Sequence, residues 1–159
     1  MTVEDKSLLI KLSDLDWLVF YPKDVFSAEE LRILLDQGFK ITFYTDKDLI
    51  YAYCLWEDDG TCLVLNNIAI HPDYQKLGFG TKLIDDIKGA LTPKHIGIYA
   101  PLTDQYLEAG GFLSKNGFEY ISTTHPEEEP DFNYYNLFFE NVNYEGEVYG
   151  EDSDEDYED

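Results

Sequence analysis

The stretch Asn67-Ile68-Ala69-Ile70-His71-Pro72-Asp73-Tyr74-Gln75-Lys76-Leu77-Gly78-Phe79-Gly80-Thr81-Lys82-Leu83 decides the fold of this chain. Its first four residues end an apolar run typical of a buried strand, and the residues after Gly80 place apolar side chains at helical spacing. Glycines between a strand and a helix let backbone N–H groups approach an anion, and the helix start adds unpaired amides and a positive dipole end. The stretch therefore predicts a strand, a phosphate-binding loop and a helix.

The glycine spacing excludes two common nucleotide sites. The chain lacks the G-x-x-x-x-G-K-[ST] pattern of a P-loop here, and Leu83 stands where a dinucleotide fold has the third glycine of G-x-G-x-x-G. We therefore expect neither nucleotide hydrolysis nor NAD binding. Taken alone, a glycine pair that only shapes a turn is the structural alternative.

Working outward from this stretch, hydrophobic periodicity and turn residues predict the other elements. A capping box at Ser27-Ala28-Glu29-Glu30 starts a helix that ends at Gly38. The predicted strands are 8–12, 39–45, 49–56, 62–70, 95–100, 118–122 and 134–139, and the other helices are 80–91 and 104–116. The order β-α-β-β-β-α-β-α-β-β indicates an α/β (α+β) fold, with a mixed, mostly antiparallel sheet of about seven strands and three to four helices packed on it.

Charge is the strongest feature of the composition. The chain has 33 acidic and 11 basic residues and a formal net charge of -22, which repels nucleic acid and anionic lipid surfaces. No apolar run is long enough to span a bilayer, and the N-terminus lacks the pattern of a secretory signal. We expect a cytoplasmic protein that binds neither nucleic acid nor membrane.

The acidic residues also divide the chain. Residues 141–159 contain nine acidic residues and no basic one. Such a segment cannot bury enough apolar surface to offset its ordering entropy. We expect a domain at 1–140 and a disordered acidic tail at 141–159, which either solubilises the protein or binds a basic partner.

Cysteine and histidine residues give no sign of a disulfide or a metal site. Cys54 and Cys62 lie in adjacent strand-like runs and are expected to be reduced core thiols. His71, His95 and His125 lie far apart, without cysteine or carboxylate at metal-ligand spacing. We expect no metal.

Two motifs together resemble the GNAT superfamily of N-acetyltransferases. Gln75-x-x-Gly78-x-Gly80 after Ile70-His71-Pro72 is similar to the family's Q/R-x-x-G-x-G/A pattern after V-x-P. About thirty residues later, the segment from Ala109 to Phe118 resembles the second motif, A-x-x-F-Y-x-K-x-G-F. The order of strands and helices over residues 7–140 is also similar to that fold.

The resemblance implies a binding mode for acetyl-CoA, the expected co-substrate. The backbone would bind the CoA pyrophosphate, and the end of the preceding strand would pair with the pantetheine arm and polarise the thioester carbonyl. The implied loop residues are Gln75, Lys76, Leu77, Gly78, Phe79, Gly80 and Thr81, the strand residues are Ile68, Ala69 and Ile70, and the second motif adds Phe112 and Lys115.

The chain departs from the family at the groups that handle protons. The tyrosine that in many relatives protonates the departing thiolate corresponds to Leu113, and an asparagine near the start of that helix corresponds to about Tyr106. Tyr106 or Tyr99 is a candidate substitute, and packing is the alternative for both. Asn66 and Asn67 stand where several relatives have a glutamate, and amides cannot accept a proton at neutral pH. A weak base favours an α-amine or a small-molecule amine over lysine.

We therefore expect an N-acetyltransferase that moves an acetyl group to a primary amine by direct attack in a ternary complex. The negative charge favours a basic peptide, protein or polyamine as acceptor. The alternative is a catalytically weak or inactive CoA-binding module that binds a basic protein through its acidic surface and tail. Monomer and homodimer both remain open.

Overall fold

The computed structural model describes residues 3–20, 25–103, 106–128 and 133–146. The helices are α1 (Val3–Phe20), α2 (Ala28–Asp36), α3 (Phe79–Lys88) and α4 (Tyr106–Lys115), and the strands are β1 (Lys40–Asp46), β2 (Leu49–Asp58), β3 (Cys62–Ile70), β4 (Gly97–Leu102), β5 (Glu119–Thr124) and β6 (Tyr134–Glu140). The strands form one sheet in the order β1-β2-β3-β4-β6-β5. No helix in the described ranges is long and apolar enough to cross a membrane.

The fold class predicted from the sequence is confirmed, with six strands where about seven were expected. β3 and β4 are parallel, whereas β1–β2, β4–β6 and β5–β6 are antiparallel. The predicted capping box is also confirmed, because Ser27 Oγ accepts from the Glu30 N–H at 3.0 Å and Glu30 Oε1 accepts from the Ser27 N–H at 2.8 Å. Both cysteines are free thiols.

The first predicted element is wrong, because residues 8–12 lie inside the helix α1 and form no strand. Leu9, Leu12 and Leu15 are buried, and their spacing of three residues puts them on one helical face. A short apolar run cannot by itself separate a strand from a helix.

The chain divides into two compact units, whose described residues fall within Met1–Glu57 and Leu65–Ile87 for the first, and Asp58–Val64 and Lys88–Asp159 for the second. The first unit has an apolar core contributed by α1, α2 and the strands β2 and β3. Its buried members are Leu9, Leu12, Leu15, Leu31, Ile50, Tyr53, Leu55 and Ala69.

A buried polar cluster lies within this first unit. Asp16 of α1 is fully buried, and its Oδ1 accepts from the Tyr53 hydroxyl at 2.6 Å and from the Asn67 amide at 3.0 Å. Its Oδ2 accepts from the Phe26 N–H at 3.0 Å. Burial and the negative charge of Asp16 raise the pKa of Tyr53 well above its ordinary value, so its hydroxyl remains a donor. One carboxylate thus connects α1, the residues before α2, β2 and β3.

In the second unit, Asn141 links the residue after β6 to the connection between α3 and β4. Its side-chain amide donates to the Thr92 carbonyl at 3.0 Å and to the His95 carbonyl at 2.9 Å, both in the connection between α3 and β4. The structure describes residues 141–146, which the sequence had assigned to the tail, and the first of them, Asn141, makes these two hydrogen bonds. The rest of that predicted tail, 147–159, lies outside the described residues.

Replacing Asp16 by alanine would remove the acceptor of the buried Tyr53 hydroxyl and Asn67 amide and of the partly buried Phe26 N–H. We expect the free energy of unfolding to fall by about 2 to 4 kcal/mol, because each unsatisfied buried group carries a desolvation penalty. Asp14→Ala is the matched control, since Asp14 is exposed on the same helix, and we expect a change within about 0.5 kcal/mol. Urea denaturation measures both, and equal effects of the two substitutions would contradict the role given to the cluster.

Candidate functional site

Only the first part of the strand β3 pairs with β4. The parallel register pairs Cys62 with Gly97, Leu63 with Ile98 and Val64 with Tyr99, whereas β3 itself runs to Ile70. Within the described residues, no β4 partner is registered for residues 65–70. Unpaired strand edges present N–H and C=O groups to any extended ligand that lies beside them. This edge contains Ile68, Ala69 and Ile70, the residues that the family resemblance implied for the pantetheine contact, which stays a prediction.

A braced turn leads from this edge to the glycine-rich loop. The His71 N–H donates to the Tyr51 carbonyl at 2.7 Å, and a short 3-10 turn at Pro72–Tyr74 follows. Gln75 Nε2 then donates to the Ile70 carbonyl at 3.0 Å. The Gln75 side chain therefore ties the loop to the end of β3, a role that the motif alone does not reveal.

The loop backbone is shaped to present amides. Gly78 has φ +90° with open space where a Cβ would be, so glycine is needed there for the backbone conformation. The first bond of the helix runs from the Lys82 N–H to the Gly78 carbonyl at 3.0 Å. The N–H groups of Phe79, Gly80 and Thr81 precede it and have no intrahelical acceptor. An anion fits this helix start, because amides and dipole both favour negative charge.

The exposed part of the loop is Gln75, Lys76, Leu77 and Gly78, and Thr81 is exposed as well. Lys76 is held at φ 65°, a region that side-chain-bearing residues seldom adopt. Phe79 and Gly80 are partly buried. The structure thus brings together, in one unit, all seven loop residues that the sequence singled out.

Aromatic side chains of β1 and β2 pack against aromatic side chains of this loop. Tyr51 and Tyr74 are stacked with centroids 4.5 Å apart and an interplanar angle of 11°, and Phe79 lies 4.7 Å from Tyr51. Lys82 Nζ lies 4.6 Å from the centroid of Tyr44. Sequence reasoning missed this cluster. Its only signal was the high aromatic content, which does not say which rings meet.

The two asparagines of β3 have different surroundings. Asn67 is 3% exposed, and its amide is committed to Asp16 and to the Tyr53 hydroxyl. Among the buried side-chain atoms of the described ranges, only Asn66 Nδ2 has no hydrogen-bond partner. Neither amide can accept a proton at neutral pH.

The tyrosine candidates lie in the second unit. The Tyr99 hydroxyl donates to Asn136 Oδ1 at 2.6 Å, and the Asn136 amide donates onward to Ser122 Oγ and Thr124 Oγ1. Burial raises the pKa of Tyr99. Tyr106 begins α4, and its side chain lies outside the described residues.

The helix α4 also contains the predicted residues of the second motif. Leu113 is fully buried, Phe112 is partly buried and Lys115 is exposed. In the described part of the chain, no group of three or more His, Cys, Asp or Glu side chains could hold a metal ion.

Comparison with known proteins identifies a family. The model of the acetyltransferase (GNAT) domain matches residues 37–120, which is more than half of the chain. No curated protein is significantly similar in sequence.

Solved structures share the fold at low sequence identity. An aminoglycoside 6'-N-acetyltransferase complexed with coenzyme A has a TM-score of 0.72 and 16% identity, over 88% of this chain and 94% of that one. The aminoglycoside 6'-N-acetyltransferase of Enterococcus faecium has a TM-score of 0.69 and 17% identity, over 88% and 94%. The ribosomal-protein-S18-alanine N-acetyltransferase of Escherichia coli has 0.69 and 14%, over 88% and 90%.

Removing the Gln75 side chain should loosen the loop and leave the rest of the chain unchanged. In Gln75→Ala we expect amide hydrogens of residues 76–80 to exchange about three- to tenfold faster, because one hydrogen bond contributes roughly 1 kcal/mol to local stability. Gln37→Ala, at an exposed position after α2, is the control and should leave loop exchange unchanged. Equal exchange in wild type and Gln75→Ala would show that the bond to Ile70 does not hold the loop.

Proposed function

This chain belongs to the GNAT acetyltransferase family of acetyl-CoA-dependent acyltransferases, and we propose that it transfers the acetyl group to a primary amine by direct attack in a ternary complex. The observation that carries the proposal is the succession of the unpaired β3 edge, the Gly78 turn and the open amides at the start of α3. Acetyl-CoA supplies an acetyl group activated as a thioester.

The residues of the first unit would hold this co-substrate mainly through their backbone. The amides of Phe79, Gly80 and Thr81 suit the pyrophosphate, and the edge at Ile68–Ile70 suits the extended pantetheine arm. Gln75 keeps the loop attached to β3, and the stacking of Tyr74 on Tyr51 attaches it to β2. Phe112 and Lys115 remain proposed contacts from α4.

Proton handling is proposed for tyrosine. The raised pKa of Tyr99 keeps its hydroxyl protonated at neutral pH, so Tyr99 suits the role of an acid and not that of a base. Asn136 Oδ1 orients the hydroxyl, which must turn away from Asn136 to give up its proton. Tyr106 is the second candidate for the same role.

The acceptor proposed is an amine that needs little help in losing its proton. With Asn66 and Asn67 in β3, we find no carboxylate base on this strand. An α-amine with a pKa near 8 is partly neutral at physiological pH, whereas a lysine side chain near 10.4 is not. The net charge of -22 raises the local concentration of cations, so a basic peptide, protein or polyamine suits the surface.

The second candidate function is a weakly active or inactive module that binds acetyl-CoA and a basic protein. It is favoured by Leu113, which is fully buried at the position where many relatives have the tyrosine acid. The acidic surface would then serve as the binding surface itself. Measurable acetyl transfer to an amine would distinguish the enzyme from this binding module.

Gly78→Asp should abolish acetyl transfer by placing a carboxylate beside the pyrophosphate site. We expect acetyl-CoA binding and CoA release to fall at least about a hundredfold. Gly60→Asp is the matched control, because Gly60 has φ +91° against +90° for Gly78 and both have open space for a Cβ. Both variants therefore carry the same backbone strain of about 1 kcal/mol, and the control should keep its rate within about twofold.

The measurement is thiol release with a panel of amines that contains α-amine peptides, N-blocked lysine peptides and polyamines. Faster turnover of N-blocked lysine peptides than of matched α-amines would contradict the proposed acceptor class. Absence of turnover with every amine, combined with intact acetyl-CoA binding, would overturn the enzyme in favour of the binding module.

Tyr99→Phe tests the proposed acid. We expect kcat to fall about 10²- to 10⁴-fold while the Kd for acetyl-CoA stays within about twofold, because only the proton donor is lost. Tyr120→Phe, at an exposed position on β5, should leave kcat unchanged. An unchanged kcat in Tyr99→Phe would exclude Tyr99 and transfer the role to Tyr106, for which Tyr106→Phe is then the test.

A further inference from the structure

A cavity of about 170 Å³ lies in the first unit, beside α1. It is formed by α1, by the turn between β1 and β2 with the start of β2, and by the residue that follows β3. Its apolar lining is Leu15, Leu18, Leu49 and Ile50, and its polar lining is Lys11, Asp14, Asp48 and His71. We call it the α1 cavity.

The charged residues that line the α1 cavity are Lys11, Asp14 and Asp48. In the ranges that the structure describes, Lys11, Asp14 and Asp48 form no ion pair and no side-chain hydrogen bond. Their charges are therefore available to a ligand. Two acidic residues and one lysine thus line the same small space.

His71 is the fourth polar residue of the lining, and its hydrogen bond shows which ring nitrogen accepts. Its Nδ1 accepts from the Asp73 N–H at 3.1 Å, which assigns the ring proton of the neutral imidazole to Nε2. The side chain is 18% exposed. The lining thus combines two carboxylates that accept hydrogen bonds with two groups, Lys11 and His71, that donate them.

The size of the cavity limits its occupant. Pockets for drug-sized ligands measure about 300 to 1,000 Å³, so this cavity is too small for such a molecule. An apolar cavity of about 150 Å³ holds benzene. The site here is open to solvent, and an aliphatic side chain of similar size can lie against the exposed Leu18 and Leu49, above the buried Leu15 and Ile50.

We propose that the α1 cavity binds a free aliphatic α-amino acid such as leucine. Asp14 and Asp48 accept hydrogen bonds from its ammonium group, and Lys11 and the Nε2–H of His71 donate to its carboxylate. Its side chain contacts Leu15, Leu18, Leu49 and Ile50.

The mixed charge of the lining disfavours simpler ligands. An alkylamine would leave Lys11 against a cation, and a fatty acid anion would face Asp14 and Asp48. A peptide end carries only one of the two charged groups on its terminal residue. A zwitterion with an apolar side chain matches both signs of charge and the apolar part of the lining.

This proposal does not rest on acetyl transfer. The ligand contacts are all side chains outside the proposed cofactor loop, and binding is measured without acetyl-CoA. The failure of either proposal therefore leaves the other intact.

The first experiment is a titration of the full chain with L-leucine, followed by amide and methyl NMR shifts. We expect saturable shifts at Leu15, Leu18, Ile50 and His71, with a Kd on the order of 1 mM for so small and open a site. Leucinamide, N-acetyl-leucine, 4-methylpentanoate and glycine each lack one required group and should bind at least about tenfold more weakly. The first two also represent peptide N- and C-termini.

Variants assign the binding to the cavity. Asp14→Asn combined with Asp48→Asn should weaken leucine binding about tenfold. Glu119→Gln with Glu140→Gln makes the same charge change at exposed positions of β5 and β6 and should leave binding unchanged. Leu18→Gln should also weaken binding, whereas Ile121→Gln should not, although the two side chains are 53% and 55% exposed.

Several results would overturn the proposal. These are the absence of saturable shifts, shifts confined to residues away from the cavity, and equal affinity for leucine and any analogue that lacks a charged group. Equal weakening by the Asp14/Asp48 pair and by the Glu119/Glu140 control would also overturn it, because a general charge effect would then explain the binding.

Discussion

One buried carboxylate constrains much of the first unit. Asp16 has no contact with solvent, so its oxygens must be satisfied by donors that the fold brings to it from α1's neighbours. Asn67 is one of them, and side chains alternate along a strand. With Asn67 and Ala69 turned toward the helices, Asn66, Ile68 and Ile70 are turned the other way. The hydrogen bond between Asp16 and Asn67 and the packing of Ala69 in the apolar core therefore set the orientation of the β3 edge before the loop.

The candidate site shows why so few side chains identify this fold. Its anion-binding groups are backbone amides, and only Gly78 is required by its own backbone conformation. Most other loop positions accept varied side chains, because the amides do not depend on them. A structure with 16% identity can therefore share the fold with a TM-score of 0.72. The supporting groups, such as Tyr51 and Tyr74, can differ provided that the loop is held.

The elements that depend on residues close in sequence could be predicted from the sequence. The capping box, β3, the loop and α3 follow from residues close in sequence, and their positions were confirmed to within a few residues. The helix α1 was predicted wrongly because a five-residue apolar run fits both periods. The Asp16 cluster could not be predicted, because Tyr53 and Asn67 lie 37 and 51 residues away and only the folded chain makes them partners. The same holds for Tyr99 and Asn136, 37 residues apart.

The contact of Asn141 with Thr92 and His95 bears on the order in which the chain folds during synthesis. The contacts of the first unit need no residue beyond Ile87, so this unit can form early on the ribosome. The second unit lacks β6 until residue 140 has been made, and the His95 carbonyl in its α3–β4 connection lacks its Asn141 donor until residue 141 emerges. A nascent chain stalled between these points would combine a finished half with an exposed, incomplete sheet. Until β6 emerges, the second unit would therefore be the part of the chain with unpaired strand edges exposed to aggregation.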